Sequence, residues 1–356
     1  MSTAVAAARP PSSGGSRAFP RHGGRRRRRL LVLAGLFAAL AVAAALSVVV
    51  GAKPVPLPDV WHGLTAPTGT ENDIIVRTLR LPRTALGVLA GVALGVAGAL
   101  MQGHTRNPLA DPGLLGVTQG AAFAMVASII VLGVTHPHGY IWFGLAGALV
   151  ASVGVFALGM VGGRGGPTPM TLALAGTAVS SFLYALTSVL VLMDDQAMDV
   201  FRFWQAGSIA ARGAEAAWQV LPFIAAGLLL ALAGAPGLNA LSLGEDVARS
   251  LGQNVALTRT VGVAAVTLLS GAAVAACGSL SFVGLMVPHL VRPLSGPDHR
   301  WLLPYSGLAG ATAMLAADVV GRVVARPGEL EVGVVLALLG APFFVALVRR
   351  RKPVRL

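Results

Sequence analysis

Reactive side chains and charge are what this chain of 356 residues has least of. It has one cysteine, Cys277, so no disulfide framework can form within it. It has two lysines, Lys53 and Lys352, and neither follows glycine in a GxxxxGK(S/T) phosphate loop. An ATPase built on that loop is excluded. HExxH, CxxC and GxSxG are all missing, so no catalytic residue and no metal site are assigned. His136 and His138 flank Pro137 in a short turn and are not taken as a metal pair. His289 and His299 are read as structural or interface residues. Charged residues make up 12% of the chain, against about 25% in a soluble domain.

What is present is apolar and small. The mean hydropathy is +0.75, 55% of residues are hydrophobic, and there are 45 glycines. Small residues let helices in lipid approach closely where the hydrophobic drive is missing. The net charge of +13 sits at the termini and at the ends of apolar runs. That distribution fits membrane orientation and argues against a nucleic-acid surface.

Apolar runs of membrane length fall at Leu30–Val50, Thr84–Gly103, Leu114–Val134, Tyr140–Val161, Pro169–Met193, Ala216–Ala235, Thr260–Cys277, Leu302–Ala325 and Val332–Val348. Leu30–Val50 is too long for a signal core and reads as a retained helix. Leu280–Arg292 is short and carries Pro288. The arginines at Arg25–Arg29 and the cations at Arg349–Lys352 place both termini in the cytoplasm, which requires an even number of crossings. The short segment then counts as the tenth. The expected fold is all-α: a polytopic membrane protein of ten transmembrane helices with both termini cytoplasmic. Residues 1–29 form a disordered basic tail, 30–350 the ten-helix membrane domain, and 351–356 a basic C-terminal tail. On this topology nineteen of the 27 Lys and Arg lie inside and eight outside.

Within the second span Gly87, Gly91 and Gly95 recur every fourth residue, which bares one helix face. Arg77, Arg80 and Arg83 crowd its outer end against the charge rule. They either anchor a helix end in head groups or offer a landing site to an acidic partner. At the inner end, Asn107-Pro108-Leu109-Ala110-Asp111-Pro112 breaks the helix. Two long loops remain. The external one, Asp194–Glu215, contains Phe201-Arg202-Phe203-Trp204, suited to an interface. The internal one, Asn239–Arg259, is expected to carry a short amphipathic helix capped by Ser242 with Glu245 closing a capping box. It can dock a soluble protein or lie on the membrane. Asp318, the one acid placed inside a span, either relays protons or orients Arg322 four residues on.

Seven separated stretches carry a family resemblance: RLPR at Arg80–Arg83, NPLADPGLLGV at Asn107–Val117, SLGEDVARSLG at Ser242–Gly252, FVGLMVPHLVR at Phe282–Arg292, GPDHR at Gly296–Arg300, the element from Asp318 to Arg322, and GAPFF at Gly340–Phe344. In order and spacing, from about residue 30 to 350, the chain resembles the FecCD-type permeases of ABC importers. The resemblance implies a non-enzymatic permease that carries a metal chelate, a ferric siderophore first and cobalamin or haem next, by ATP-driven alternating access. It implies a second permease subunit (a homodimer), two cytoplasmic ATP-binding subunits that hold ATP and Mg, and an extracytoplasmic substrate-binding protein. No cofactor is expected in this chain. Arg80, Arg83 and Arg322 take the docking positions, while Asn107, Leu109, Thr168, Pro169 and Met170 take the gate positions. Glu245, Asp246, Arg249 and Gly252 take the coupling positions. Pro169 and Met170 depart from the small hydroxyl residues common there. An autonomous ion-coupled transporter, the reading from another class, needs intramembrane ionisable groups, and Asp318 alone offers one.

Overall fold

The computed structural model describes residues 22–134, 136–161, 168–210 and 212–350. Among them all regular structure is helical. In chain order the helices are α1 (His22–Val49), α2 (Leu57–Thr65), α3 (Glu71–Ile74), α4 (Leu81–Thr105), α5 (Val117–Leu132), α6 (Pro137–Met160), α7 (Pro169–Met193), α8 (Asp195–Ala206), α9 (Gly213–Leu241), α10 (Glu245–Ser250), α11 (Val255–Cys277), α12 (Val283–Ser295), α13 (His299–Val324) and α14 (Val332–Arg350). Seven stretches are long and apolar enough to cross a membrane; among them Glu71–Thr105 runs without a break from α3 into α4. Apolar α5 and α14 are shorter, and α12 has 13 residues. The protein is a multi-pass membrane protein.

Helix α4 is the axis of the bundle, packed against α13, α12, α11 and α9. The glycine series explains why. A Cβ on Gly91 would stand 2.5 Å from the backbone of Ala311, and one on Gly95 2.1 Å from the Ser306 carbonyl oxygen. Both neighbours belong to α13, whose Gly310 returns the contact onto the Gly91 carbonyl. Gly98 faces α12 instead, where a Cβ would lie 1.9 Å from the Gly284 oxygen. The bared face thus holds two partners at backbone distance, as close packing in lipid demands.

Several boundaries differ from the sequence reading. Helix α1 begins at His22, inside the stretch expected to be a disordered tail. Arginine is a good helix former, and the first turns have a local anchor. Arg29 lies over the Trp301 ring at 5.3 Å and pairs with Asp298 at 3.7 Å, while its carbonyl accepts from the Tyr305 hydroxyl at 2.6 Å. Residues 1–21 and 351–356, the rest of the two basic tails, lie outside the described residues, as does Arg164. The axial run starts at Glu71 rather than Thr84, with Thr70 and Asp73 forming a capping box. Pro82 lacks the N–H that Thr78 would accept, and the turn ahead of it widens over Ile75–Arg80. Helix α9 continues through Pro236 to Leu241, past the boundary drawn at Ala235. Buried Ala235 and Gly237 seat it there, with Gly237 leaving room for Thr258 of α11. The external stretch after Asp194 is α8, capped by the Asp194 carboxylate on the Ala197 N–H.

Candidate functional site

One end of α4 carries the arginines. Arg80 Nη1 donates to the Val48 and Val49 carbonyls at 2.9 and 2.6 Å, and Nη2 to that of Lys53 at 2.7 Å. Arg322 Nη1 donates to the Ser47 and Val50 carbonyls at 2.9 and 2.7 Å. These are the orphan carbonyls at the end of α1 and just beyond it, so both guanidinium groups serve as a C-terminal cap. Arg326 adds a donor to the Gly51 carbonyl at 2.9 Å.

Asp318 joins this cap to Arg83. Its Oδ2 accepts from Arg322 Nη2 at 2.6 Å, and its Oδ1 from Arg83 Nη2 and Nε at 2.7 and 3.0 Å. Asp318 is fully buried, and the two guanidinium groups are the partners that a buried carboxylate requires. Of the two roles open to it in the sequence, orienting arginine is the one its contacts supply. The remaining Arg83 nitrogen, Nη1, donates to Glu329 Oε2 at 2.6 Å, and Glu329 is the more exposed partner. Arg80 is 4% and Arg322 1% exposed. The three predicted docking arginines are therefore brought together, but two of them are spent on backbone. With Lys53 and Glu329 they line a cavity of 330 Å³. Arg77, grouped with them in the sequence, turns instead to the Gly63 carbonyl at 2.9 Å.

At the opposite end α4 stops on Arg106, whose φ of 50° is left-handed. Its Nη2 donates to the Leu241 carbonyl at 2.6 Å, which ties the end of α4 to the end of α9. The Asn107 carboxamide oxygen accepts from the Leu109 N–H at 2.9 Å, and Asp111 from the Gly113 N–H at 2.8 Å. These local turns satisfy the backbone that the two prolines free. Asn107 and Leu109 are left exposed. The 3-10 turn Pro112–Leu115 that follows packs on α7, where a Cβ on Gly176 would stand 1.7 Å from the Leu114 oxygen. At the start of α7, Thr168 forms a capping box with Thr171, Pro169 occupies the first turn, and Met170 is 71% exposed. The five predicted gate residues thus lie on two elements, the Asn107–Asp111 turn and the start of α7, which the 3-10 turn joins.

The predicted coupling segment follows α9. The expected Ser242 cap is not formed: its hydroxyl turns back to the Asn239 carbonyl at 2.6 Å. Gly244 occupies the N-cap with φ 119°, where a Cβ would be strained. Glu245, freed from capping, accepts from Arg249 Nη2 at 3.2 Å and from Arg259 of α11. Arg249 Nη1 also meets Asp246, whose side chain is fully exposed. Gly252 has φ 80° and closes the turn onto the Arg249 carbonyl. Ala248 alone of α10 is buried, against Leu241 and Val255. Leu243, Val247 and Leu251 face outward. Exposed apolar groups beside a charged rim are suited to a protein partner.

Glu329 and Arg106 were missed in the sequence. Glu329 lies 246 positions from its partner, and no local pattern reports such a contact. Arg106 could have been noticed as the last residue before an Asn-Pro helix break.

Among the described residues no cluster of three potential metal ligands occurs. Comparison with known proteins adds what geometry cannot. The model of the FecCD transport family matches residues 39–350. The ferric enterobactin transport system permease protein FepD of Escherichia coli (strain K12) is 47% identical over 318 residues, covering 89% of this chain and 94% of that one. The iron(3+)-hydroxamate import system permease protein FhuB of Bacillus subtilis (strain 168) is 41% identical over 315 residues, covering 88% and 81%. A solved structure described as an inward-facing conformation of a metal-chelate type ABC transporter superposes with a TM-score of 0.79 at 30% identity, covering 90% of this chain and 99% of that one.

Proposed function

The chain belongs to the FecCD transport family, and from that premise we propose that it is the membrane permease of an ATP-driven importer for a ferric siderophore. The observation that carries the reading is the placement of three features around α4. The arginine cluster lies at one end, the Asn107–Asp111 turn at the other, and Arg106 links that turn to the α9 end from which α10 follows. The arginine end faces outside, the turn and α10 face the cytoplasm, and the chain crosses the cytoplasmic membrane ten times between basic termini. Residues 30–350 make the permease unit and 239–259 its coupling loop.

Two copies of the chain would enclose the pathway. A substrate-binding protein docks on the arginine end, drawn by Arg83 and by the cationic cavity behind it. Arg80 and Arg322 act there by holding the wall rigid. Two ATP-binding subunits, which carry the nucleotide and its Mg, seat α10 through Val247, Leu251 and the Glu245–Asp246–Arg249 rim, with Gly252 setting the turn. Nucleotide binds the two conformations of the assembly with different affinity, and that difference shifts the population between them. Movement of α10 reaches the Asn107, Leu109, Thr168, Pro169 and Met170 segment through Arg106, opening or closing the pathway. Chemistry within this chain is limited to binding and motion.

Ferric enterobactin is favoured as cargo by the 47% identity to a permease named for it. Proteoliposomes holding the assembled complex should take up labelled ferric enterobactin only with ATP and binding protein present. Cobalamin or haem transported in its place would redirect the substrate. Uptake driven by a proton gradient without ATP would overturn the reading.

A further inference from the structure

An apolar groove of 340 Å³ opens on the outside of the bundle between α1, α9 and α13. Leu33, Phe37, Val96, Leu232, Leu303 and Pro304 line it, and Phe37 and Leu232 stand half exposed at its mouth. Gly307 forms part of the floor, where a side chain would press on Val92 and Val96. No polar group enters it, so a polar ligand has nothing to bind there.

The two helices that wall the groove carry arginine at the same end. On α1, Arg26 and Arg29 precede Leu33 and Phe37 at helical spacing, which puts all four on one stripe. On α13, Arg300 precedes Leu303, Pro304 and Gly307 by three, four and seven residues, again on one stripe. Arg26 and Arg300 are exposed. Arg29 is held between the Trp301 ring and Asp298, and Asp298 is further tied by the Asn239 amide at 2.8 Å. The carboxylate beside Arg29 is therefore already partnered. From Arg26 to Phe37 the helix rises about 16 Å, roughly the reach of half a bilayer's hydrocarbon.

We propose that this groove is a site for an anionic phospholipid, one acyl chain lying along Leu33, Phe37 and Leu232 and the phosphate meeting Arg26 and Arg300. Charge selects the head group, and the groove demands the chain. Trp301 sits at the level of the head group, where amphipathic rings are favoured. Occupancy would pin α1 to α13 beside Asp298 and Asn239, close to the end of α9 that leads into α10.

The full-length chain, purified in detergent and stripped of lipid, is titrated with phosphatidylglycerol and with phosphatidylcholine of the same acyl chains, and bound lipid is counted by native mass spectrometry. Phosphatidylglycerol should bind more tightly. R26Q with R300Q should weaken it about thirtyfold, roughly fivefold for each arginine, and leave phosphatidylcholine unchanged. L232W, which fills the half-exposed mouth, should remove both lipids at an unchanged thermal midpoint. Equal binding of the two head groups, or full phosphatidylglycerol binding by the arginine variant, overturns the site. Displacement of the lipid by glycerol 3-phosphate alone also overturns it, because the groove would then contribute nothing.

Discussion

The two ends of α4 handle charge in opposite ways. At the arginine end a fully buried Asp318 holds two guanidinium groups, and Arg80 and one nitrogen of Arg322 donate to backbone carbonyls at the end of α1. At the α10 end Arg249 pairs with Glu245 and Asp246 within one turn, at the surface, with Val247 and Leu251 bare beside them. A buried network is costly to disturb and therefore moves as one body. Exposed pairs one turn apart contribute little to stability and can exchange partners. The difference teaches which end is a rigid wall and which is an exposed surface, even though both are rich in the same residue types.

The largest effect should come from breaking the wall. Asp318→Asn removes the charge facing Arg83 and Arg322, and the loss of one partner from a buried ion pair costs about 3–5 kcal/mol. Denaturation of the purified chain should show that loss. The matched change at the other end, Asp246→Asn, should cost less than about 1 kcal/mol, since its side chain is fully exposed. Equal losses at the two sites would erase the contrast.

Next in size is the surface. Val247→Asp with Leu251→Asp should leave stability within about 0.5 kcal/mol, as surface changes usually do. It should nevertheless weaken capture of an ATP-binding subunit by roughly thirtyfold, the equivalent of about 2 kcal/mol for a small apolar hot spot. Undiminished co-purification would mean that α10 lies on lipid rather than on protein.

How much of this could be read in the sequence follows from the range of each interaction. The glycine spacing at Gly87, Gly91 and Gly95 foretold a close helix contact, because a single helix sets that geometry. The Asp318 to Arg322 pair, four residues apart, was legible for the same reason. The break at Asn107–Pro112 was legible because proline acts locally. What stayed hidden lies between distant parts of the chain. Arg80 looked like a free landing group until α1 supplied carbonyls for it to cap. Glu245 looked like a capping residue until α11 brought Arg259 to it. Pro236 looked like a helix end until Thr258 filled the space that Gly237 leaves. Burial and tertiary partners decided each of these, and neither has a local signature.

The smallest effect is also the sharpest test of the wall. Glu329 is the one carboxylate on Arg83 that is not deeply buried, and it occupies Nη1 at 2.6 Å. A partner's carboxylate that lands on Arg83 must displace it or share the guanidinium with it. Glu329→Gln removes the competitor while leaving Asp318 to hold Arg83 in place. The gain expected in affinity for an acidic binding protein is at most about fivefold, the scale of one partly exposed ion pair. It should shrink as salt is raised, because the attraction released is screened over about 8 Å at physiological ionic strength. A loss of affinity would mean that Glu329 belongs to the docking surface itself. A gain indifferent to salt would mean that the substitution acts through packing, and Arg83 would then stand with Arg80 and Arg322 as part of the scaffold.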